Sequence, residues 1–405
     1  MYSYFEPEAA GEVVSDGSMR DCRRMTFRSV LAGLVVALIA ATAHAAPPAK
    51  ALTAKVDAIF ADHAGPDSPG YAVGVIRDGK LWLARGYGQA NLDDGAPITP
   101  ATAFHLASLS KQFTASAVAL LILDGKLSLE DPLARYVPEA AKFGPDLKLK
   151  HLVYMTSGLP EYTSRPRPNG DPWFSAFYFT RDDAIAATLA ADRLDFAPGT
   201  KWSYSNVNYM LLTKVVEVVS GQRFSDFMRQ RVFAPLGMTA TLIDDDTTAI
   251  IPHRAIGYGP RSPEIVAEAA KVGFTLRAGP GYARLNRNAP HFGGSGVFST
   301  LEDLARWDAN WDQPKLGAGF APLMLSRMTF AHPKANDAFG LVHGEIQGRP
   351  TLWYAGSDLD ASSYMVRFPA QRTTVVCLSN LLSGDCEGRA RKVIDALIAE
   401  GALKP

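Results

Sequence analysis

Residues 104–118 read FHLASLSKQFTASAV, and within them stands Ser108-Leu109-Ser110-Lys111, the only S-x-x-K in the chain. The apolar residues that follow fit a helix. Phe113, Ala117, Leu120 and Leu121 fall at i, i+4, i+7 and i+8, and Asp124-Gly125 ends the run, so a helix is predicted over 108–123. On a helix, positions i and i+3 share a face, which puts Ser108 and Lys111 one turn apart. A serine at the helix start also feels the positive end of the helix dipole, which favours a developing alkoxide. A lysine acts as a base only when burial and neighbouring cations strip its proton near neutral pH. Taken alone, the motif is equally a helix-capping serine beside a solvated lysine.

Outward from this segment, β character lies towards both ends. Residues 71–76 and 80–87 are β-like runs joined through Asp78-Gly79, a hairpin signal. Gly74 to Lys80 also fits the first part of a phosphate loop, but Leu81 replaces the required Ser/Thr and no helical pattern follows. From 126 to 293 the text is mostly helical segments and Pro/Gly-rich loops, with the clearest helix over 209–220 and an irregular excursion over 252–290. Strand-like runs return at 352–354, 362–368 and 373–379, and an amphipathic helix closes the chain over 388–402. The expectation is an α+β protein in which an antiparallel sheet flanked by helices is built from both ends, 46–125 and 294–405. Residues 126–293 form a mostly helical insertion.

The first 45 residues read as a secretory signal. Arg20, Arg23, Arg24 and Arg28 precede an apolar run over 30–41, and Ala43-His44-Ala45 is a small-x-small cleavage site. The run is short for a stable membrane span, although an uncleaved anchor is the alternative reading. Residues 1–21 are acidic and atypical of such a leader, so Met19 and Met25 are alternative translation starts. The expected destination is the periplasm or the medium.

Composition excludes several classes. The 405 residues carry 41 basic and 41 acidic side chains and are 47% apolar. Positions 1–45 hold four of the basic and five of the acidic residues, leaving 37 and 36, a net of +1. A nucleic-acid partner would call for a basic excess. The apolar content is enough for a sizeable core and argues against disorder. Beyond the leader, Cys377 and Cys386 remain, and an exported chain permits a disulfide between them as readily as two buried thiols. The eight histidines show no H-E-x-x-H or H-x-x-x-H pair, so no zinc site of conventional spacing is expected. There is no G-x-G-x-x-G dinucleotide fingerprint and no G-x-S-x-G nucleophile elbow. No cofactor is expected.

Ninety-six residues after Ser108 comes Tyr204-Ser205-Asn206, the only Y-x-N, in a loop ahead of the 209–220 helix. A loop tyrosine brought beside Lys111 can shuttle a proton, and an amide such as Asn206 can orient the lysine. The alternative is a tyrosine packed on the next helix with Asn206 as its cap.

Several ordered segments together resemble the serine beta-lactamase-related family, in its class C beta-lactamase, penicillin-binding and esterase branch. Residues 104–118 are similar to that family's nucleophile helix. Met155-Thr156-Ser157-Gly158-Leu159-Pro160 is similar to its T-S-G-L-P turn. Residues 198–212 (PGTKWSYSNVNYMLL), 233–238 (FAPLGM) and 293–307 (GGSGVFSTLEDLARW) match further segments. The resemblance spans nearly all of 60–400. It implies an antiparallel sheet flanked by helices plus a mostly helical domain, with the site in the cleft. It also implies roles: Ser108 the acylated nucleophile, Lys111 and Tyr204 the proton carriers, Asn206 their aligner. The backbone N–H groups of Ser108 and Ser357 would make the oxyanion hole.

Two departures bear on substrate. The family's strand motif is Lys or His, any residue, then Gly, and here it reads Tyr354-Ala355-Gly356-Ser357. Gly356 keeps the close strand approach. Tyr354 offers a hydroxyl and a ring in place of a cation, and Asp358 and Asp360 would repel an anion if they face the cleft. Tyr354, Gly356 and Ser357 are the expected substrate-binding wall. Met155 stands where the family often has His, which is expected to affect packing alone. The segment 171–179 holds five aromatics between Trp173 and Phe179, fitting either an acyl pocket or a core segment. The expected activity is cleavage of neutral esters or amides by an exported serine hydrolase, acting on a small molecule or peptide, with no nucleic acid and no membrane span after signal removal. The alternatives are a beta-lactamase or D-amino-acid peptidase acting on penicillins or cell-wall peptides, and a non-catalytic binding protein.

Overall fold

A computed structural model describes residues 47–404 apart from 168, 175, 272, 286, 329–337 and 383. The expected signal segment, with Cys22 and the alternative starts Met19 and Met25, lies outside the described residues.

Six antiparallel strands make the main sheet: β1 (Tyr71–Arg77), β2 (Lys80–Tyr87), β3 (Val342–Ile346), β4 (Arg349–Asp358), β5 (Ala361–Phe368) and β6 (Thr373–Ser379). Their order across the sheet is β3-β4-β5-β6-β1-β2. The first two strands therefore join the last four through the β1–β6 ladder, in which Tyr71 faces Ser379 and Arg77 faces Thr373. The β1–β2 turn is tight. Asp78 and Gly79 have φ of 49° and 72°, the left-handed pair that a two-residue hairpin needs.

Both faces of the sheet are covered, which is why β5 and β6 are buried at every position. Alternate residues serve opposite sides. Tyr71, Val73 and Val75 face a core shared with α1 (Lys50–Ile59) and the closing helix (Cys386–Ala399) through Leu52, Val56, Val393 and Leu397. Ala72 and Ile76 face the larger core, with Phe104, Leu109, Phe113, Leu301 and Leu304. Each such aliphatic side chain contributes about 1.5–3 kcal/mol on burial.

The helix after Ser108 differs from expectation in two ways. Residues Ala107–Ser110 form a 3₁₀ turn, and the α-helix proper, α2, runs from Lys111 to Leu123. Every α2 residue as far as Leu121 is buried, including Gln112, Thr114 and Ser116, because the helix lies inside the larger core instead of along its rim. The next long helix, α3 (Asn206–Ser220), starts three residues before the expected 209, which makes Asn206 its first residue instead of a loop residue. The supposed excursion over 252–290 holds a two-stranded ladder (Tyr258–Pro260 with Tyr282–Arg284) and a helix, Pro263–Lys271. Three-residue strands give no readable alternation. The strand and closing-helix boundaries also shift by a few residues, to Arg349–Asp358 and Cys386–Ala399.

Cys377 and Cys386 are buried free thiols. Burial, with the neighbouring Cys386 sulfur, pushes the Cys377 thiol well above its ordinary pKa, and Cys386 Sγ donates to Ser362 O at 3.3 Å.

Candidate functional site

Ser108 sits at the end of the 3₁₀ turn's first step, right after a strained residue: Ala107 has φ of 48°, in the left-handed region. This kink turns the chain so that Ser108 Oγ lies 2.7 Å from Tyr204 OH. Lys111, fully buried, reaches back one turn. Its Nζ, with three N–H donors, has four oxygens within hydrogen-bond distance: Ser108 Oγ (3.1 Å), Tyr204 OH (2.5 Å), Asn206 Oδ1 (2.8 Å) and Gly294 O (2.7 Å). A buried amine is costly unless its hydrogen-bonding capacity is met, and four acceptors meet it here. Tyr204 OH also donates to Asn206 Oδ1 at 3.3 Å. Ser108, Lys111, Tyr204 and Asn206 are thus linked in one hydrogen-bonded network.

Sequence reading missed what holds them. Glu161, just after the T-S-G-L-P turn, accepts from Ser205 Oγ at 2.6 Å, from Asn206 N at 2.7 Å and from Asn206 Nδ2 at 3.2 Å. It satisfies an orphan N–H of the first turn of α3, places a carboxylate at that helix's positive end, and fixes the Asn206 amide with its oxygen towards Lys111. Met155 works through the same loop. It is buried with φ of 56°, its carbonyl accepts from Ser203 N at 2.9 Å, and its sulfur accepts from Asn208 Nδ2 at 3.4 Å. Beyond the packing expected of it, it braces the chain ahead of Tyr204 through these two hydrogen bonds.

The third element comes from β4. Gly356 pairs with Ser363 and Ser357 with Ser362. A Cβ on Gly356 would lie 2.5 Å from Leu106 O, 2.5 Å from Ser363 Oγ and 2.8 Å from Ser108 N. Only glycine lets β4 run this close to the Ser108 backbone. Ser363 Oγ donates to Leu106 O at 2.6 Å and ties β5 to the same turn.

Ser108 opens into two spaces. The larger, 790 Å³, is walled by Trp202, Tyr204, Val342, Trp353 and the run from Tyr354 to Ser357. The smaller, 110 Å³, is walled by Tyr162, His291, Ser295 and Asp358 among others. Asn206 and Ser357 border both. Tyr354, Gly356 and Ser357 all line the larger space. The expectation for the two aspartates holds for one. Asp358 lines the smaller space, whereas Asp360 is buried and bonded to His105 Nδ1 at 2.7 Å, because His105 needs an acceptor in the core.

Burial works against the Asp358 carboxylate, but the positive field of His105, His291 and Arg287 outweighs it and brings its pKa down to about 2. For His291 burial dominates and Arg287 adds repulsion, so its pKa falls to about 3 despite Asp358. His291 stacks on Phe179 with ring centroids 4.8 Å apart. Among the described residues, His105, Asp358 and Asp360 form one group with metal-ligand chemistry, their ligand atoms within 4.8 Å of one another. Each is engaged inside the protein: His105 with Asp360 and Ser295, and Asp358 Oδ1 with Leu359 N at 2.7 Å.

The aromatic segment puts none of its rings on the two spaces at Ser108, so it does not form an acyl pocket there. Trp173 and Phe179 pack edge-on at 5.1 Å with Tyr162 in the core. Phe174 and Phe177 turn instead to Phe274, and Phe174 lines a separate apolar cavity of 590 Å³ that lacks Ser108.

The sequence profile described as Beta-lactamase matches residues 56–400. The chain belongs to the Beta-lactamase family. Among its family relatives, the D-aminopeptidase of Gluconobacter oxydans (strain 621H) is 28% identical over 358 residues, covering 87% of this chain and 62% of that protein. The chain thus spans less than two thirds of that relative's length. Among solved Beta-lactamase-fold structures, the octameric penicillin-binding protein homologue from Pyrococcus abyssi superposes with a TM-score of 0.70 at 23% identity, covering 86% of this chain and 77% of that one. The D-amino acid amidase from Ochrobactrum anthropi SV3, complexed with D-phenylalanine, gives 0.71 at 21% identity, covering 86% and 99%. At these identities the two structures speak for the fold, an α+β architecture with an antiparallel sheet.

Proposed function

We propose that this protein is a serine hydrolase that cleaves ester or amide bonds through a covalent acyl-enzyme on Ser108. The observation that carries the reading is the hydrogen-bonded set of Ser108, Lys111, Tyr204 and Asn206 at the mouth of a cleft. Ser108 Oγ attacks the substrate carbonyl carbon while its proton passes to the Tyr204–Lys111 pair. The carbonyl oxygen becomes an oxyanion, held by the N–H groups of Ser108 and Ser357. The tetrahedral adduct collapses, the C–O or C–N bond breaks, and the leaving group takes the proton from the same pair. A water then attacks the acyl carbon by the reverse path and frees Ser108.

Tyr354 and Asp358 favour substrates without a carboxylate beside the scissile bond. The 28%-identical D-aminopeptidase supports a second reading within the same chemistry, in which the substrate is an amide or short peptide of a D-amino acid. Penicillins and carboxylate-ended cell-wall peptides fit the wall less well, and a non-catalytic binding role leaves the buried Lys111 set without a purpose. Export to the periplasm or the medium is proposed on the leader of residues 1–45 alone. Among the described residues no helix is long and apolar enough to cross a membrane.

A panel of short and long p-nitrophenyl esters, D-alanyl amides and peptides, and nitrocefin tests this, run beside Ser108→Ala and Lys111→Ala. The expected result is turnover of esters or amides, lost in both variants, with nitrocefin a poor substrate. Rapid acylation by penicillin with no ester or amide turnover would reverse the ranking. Cell fractionation with mass spectrometry of the N-terminus tests export: a chain starting at Ala46 outside the cytoplasm is expected.

A further inference from the structure

Glu161 and Asn206 hold Lys111 from one side, and a second chain of hydrogen bonds reaches it from another. It starts at Asp360, in the β4–β5 turn. Asp360 Oδ1 accepts from His105 Nδ1 at 2.7 Å, and His105 Nε2 lies 2.8 Å from Ser295 Oγ. All three residues are buried. The direction of the chain follows from its partners. A carboxylate only accepts, so Nδ1 is the ring's donor to Asp360. Gly296 N donates to Nε2 at 3.3 Å, so Nε2 is an acceptor and the Ser295 hydroxyl points its proton at it. Asp358 Oδ2, at 3.4 Å from Ser295 Oγ, lies beyond the usual range of an O–H···O bond.

Ser295 carries the only side chain in the run Gly293-Gly294-Ser295-Gly296. Three glycines in four residues leave the backbone unusually free. The run nevertheless holds two carbonyls on α2. Gly293 O accepts from Thr114 Oγ1 at 2.8 Å, and Gly294 O accepts from Lys111 Nζ at 2.7 Å. Gly294 also packs against Asn206, whose Oδ1 would lie 3.1 Å from an added Cβ. The one side-chain anchor the run possesses is thus Ser295, and Ser295 is tied to His105.

The Gly294 carbonyl matters because of how a lysine acts as a base. The uncharged amine has two N–H groups and one lone pair. Asn206 Oδ1 and Gly294 O carry no proton, and at 2.8 and 2.7 Å they take both N–H groups. The lone pair is left facing Ser108 Oγ and Tyr204 OH, the hydroxyls whose proton it receives. When one of these acceptors is displaced, the amine turns about its Cε–Nζ bond and an N–H takes the place of the lone pair. We propose that Asp360, His105 and Ser295 are positioning residues that aim Lys111 through the Gly294 carbonyl. The proposal rests on the acyl-enzyme reading, in which Lys111 and Tyr204 move the proton of Ser108.

The test is Ser295→Ala, with Ser295→Cys beside it as a variant that keeps the volume and offers only a weak donor. With p-nitrophenyl acetate, kcat is expected to fall about tenfold or more in both, with KM changed less than about threefold. A thermal melt identifies the folded variants, and Ser295→Cys is read alone if Ser295→Ala does not fold. A general loosening of the site is separated from aiming of the lysine by a double-mutant cycle. The rate at which an uncharged fluorophosphonate labels Ser108 is measured for each variant with Lys111 in place and in Lys111→Ala. Labelling is expected to slow about tenfold when Lys111 is present and less than about twofold when it is absent. A kcat within about threefold of wild type, a KM rise that accounts for the loss, or equal slowing with and without Lys111 would overturn the positioning role. Wild type labelled on Ser108 at the same rate as the Ser295 variants overturns this inference alone. Folded wild type that is never labelled on Ser108 overturns the acyl-enzyme reading and this inference with it.

Discussion

Replacing Glu161 tests whether the Lys111 set depends on a residue that never touches the nucleophile. In Glu161→Gln the side chain keeps one oxygen, enough to accept from Ser205 Oγ and Asn206 N as Oε2 does now. The new amide NH₂ then faces Asn206 Nδ2, donor against donor, where Oε1 accepts at 3.2 Å. The Asn206 amide relieves this by turning, which removes the oxygen that Lys111 Nζ binds at 2.8 Å. One hydrogen bond to a charged or strongly polar group is worth about 1.5–3 kcal/mol, which is about 10- to 100-fold in rate if it is needed in the transition state. The capping role survives in part, so the stability loss should stay near 1 kcal/mol. Glu161→Ala removes all three contacts and should cost about 2–4 kcal/mol of stability with a similar or larger rate loss. The assay is steady-state hydrolysis of p-nitrophenyl acetate, reading kcat and KM separately, beside a thermal melt. The expected signature in Glu161→Gln is a kcat loss with KM little changed and a small shift in Tm. A kcat within threefold of wild type, or a loss that merely follows the unfolded fraction, would refute the positioning role.

Gly356→Ala puts a methyl within 2.8 Å of Ser108 N and 2.5 Å of Leu106 O, so β4 must retreat. Stability should fall by about 1–3 kcal/mol, and kcat/KM by about 10²–10³, the usual cost of a lost oxyanion donor; near-normal turnover would contradict the close approach. Burial lowers the pKa of His151 to about 4 and of His291 to about 3. The folded state therefore resists protons that the unfolded chain binds below about pH 6.5. Their contribution is complete above that pH and drains away as pH falls towards 4 and then 3. Urea midpoints should drop across that window, with a shallower slope in His151→Gln; an unchanged slope would contradict it. In a chain lacking residues 1–45, a thiol reagent should find no fast-reacting cysteine in the native state and two after unfolding, since Cys377 and Cys386 are buried and unbridged; none after unfolding would mean a disulfide.

Much of this architecture is written in local text. Asp78-Gly79 specifies the hairpin because its two residues tolerate the left-handed turn, and the β-branched run Thr373-Thr374-Val375-Val376 marks the buried strand β6. The site was legible for a different reason. Ser108 and Lys111 sit one turn apart in the chain itself, while Tyr204 and Asn206 were recognisable as an ordered segment of a known family. What escaped is tertiary. Glu161 carries no periodic signal, and its role appears only once the T-S-G-L-P turn lies against the start of α3. Asp358 and Asp360 look alike in sequence, yet Asp358 ends β4 on the wall of the smaller space, while Asp360 lies in the β4–β5 turn, buried and bonded to His105. The start of α3 was placed late because a cap supplied from 45 residues away leaves no mark next to the helix.

The central claim is a nucleophilic Ser108, and the direct measurement is covalent capture. The protein is incubated with an uncharged fluorophosphonate, and the adduct is located by intact mass and peptide mapping. The account predicts one adduct per chain, on Ser108, slowed strongly in Lys111→Ala and absent in Ser108→Ala. No adduct on folded protein, or an adduct that persists in Ser108→Ala, would contradict it.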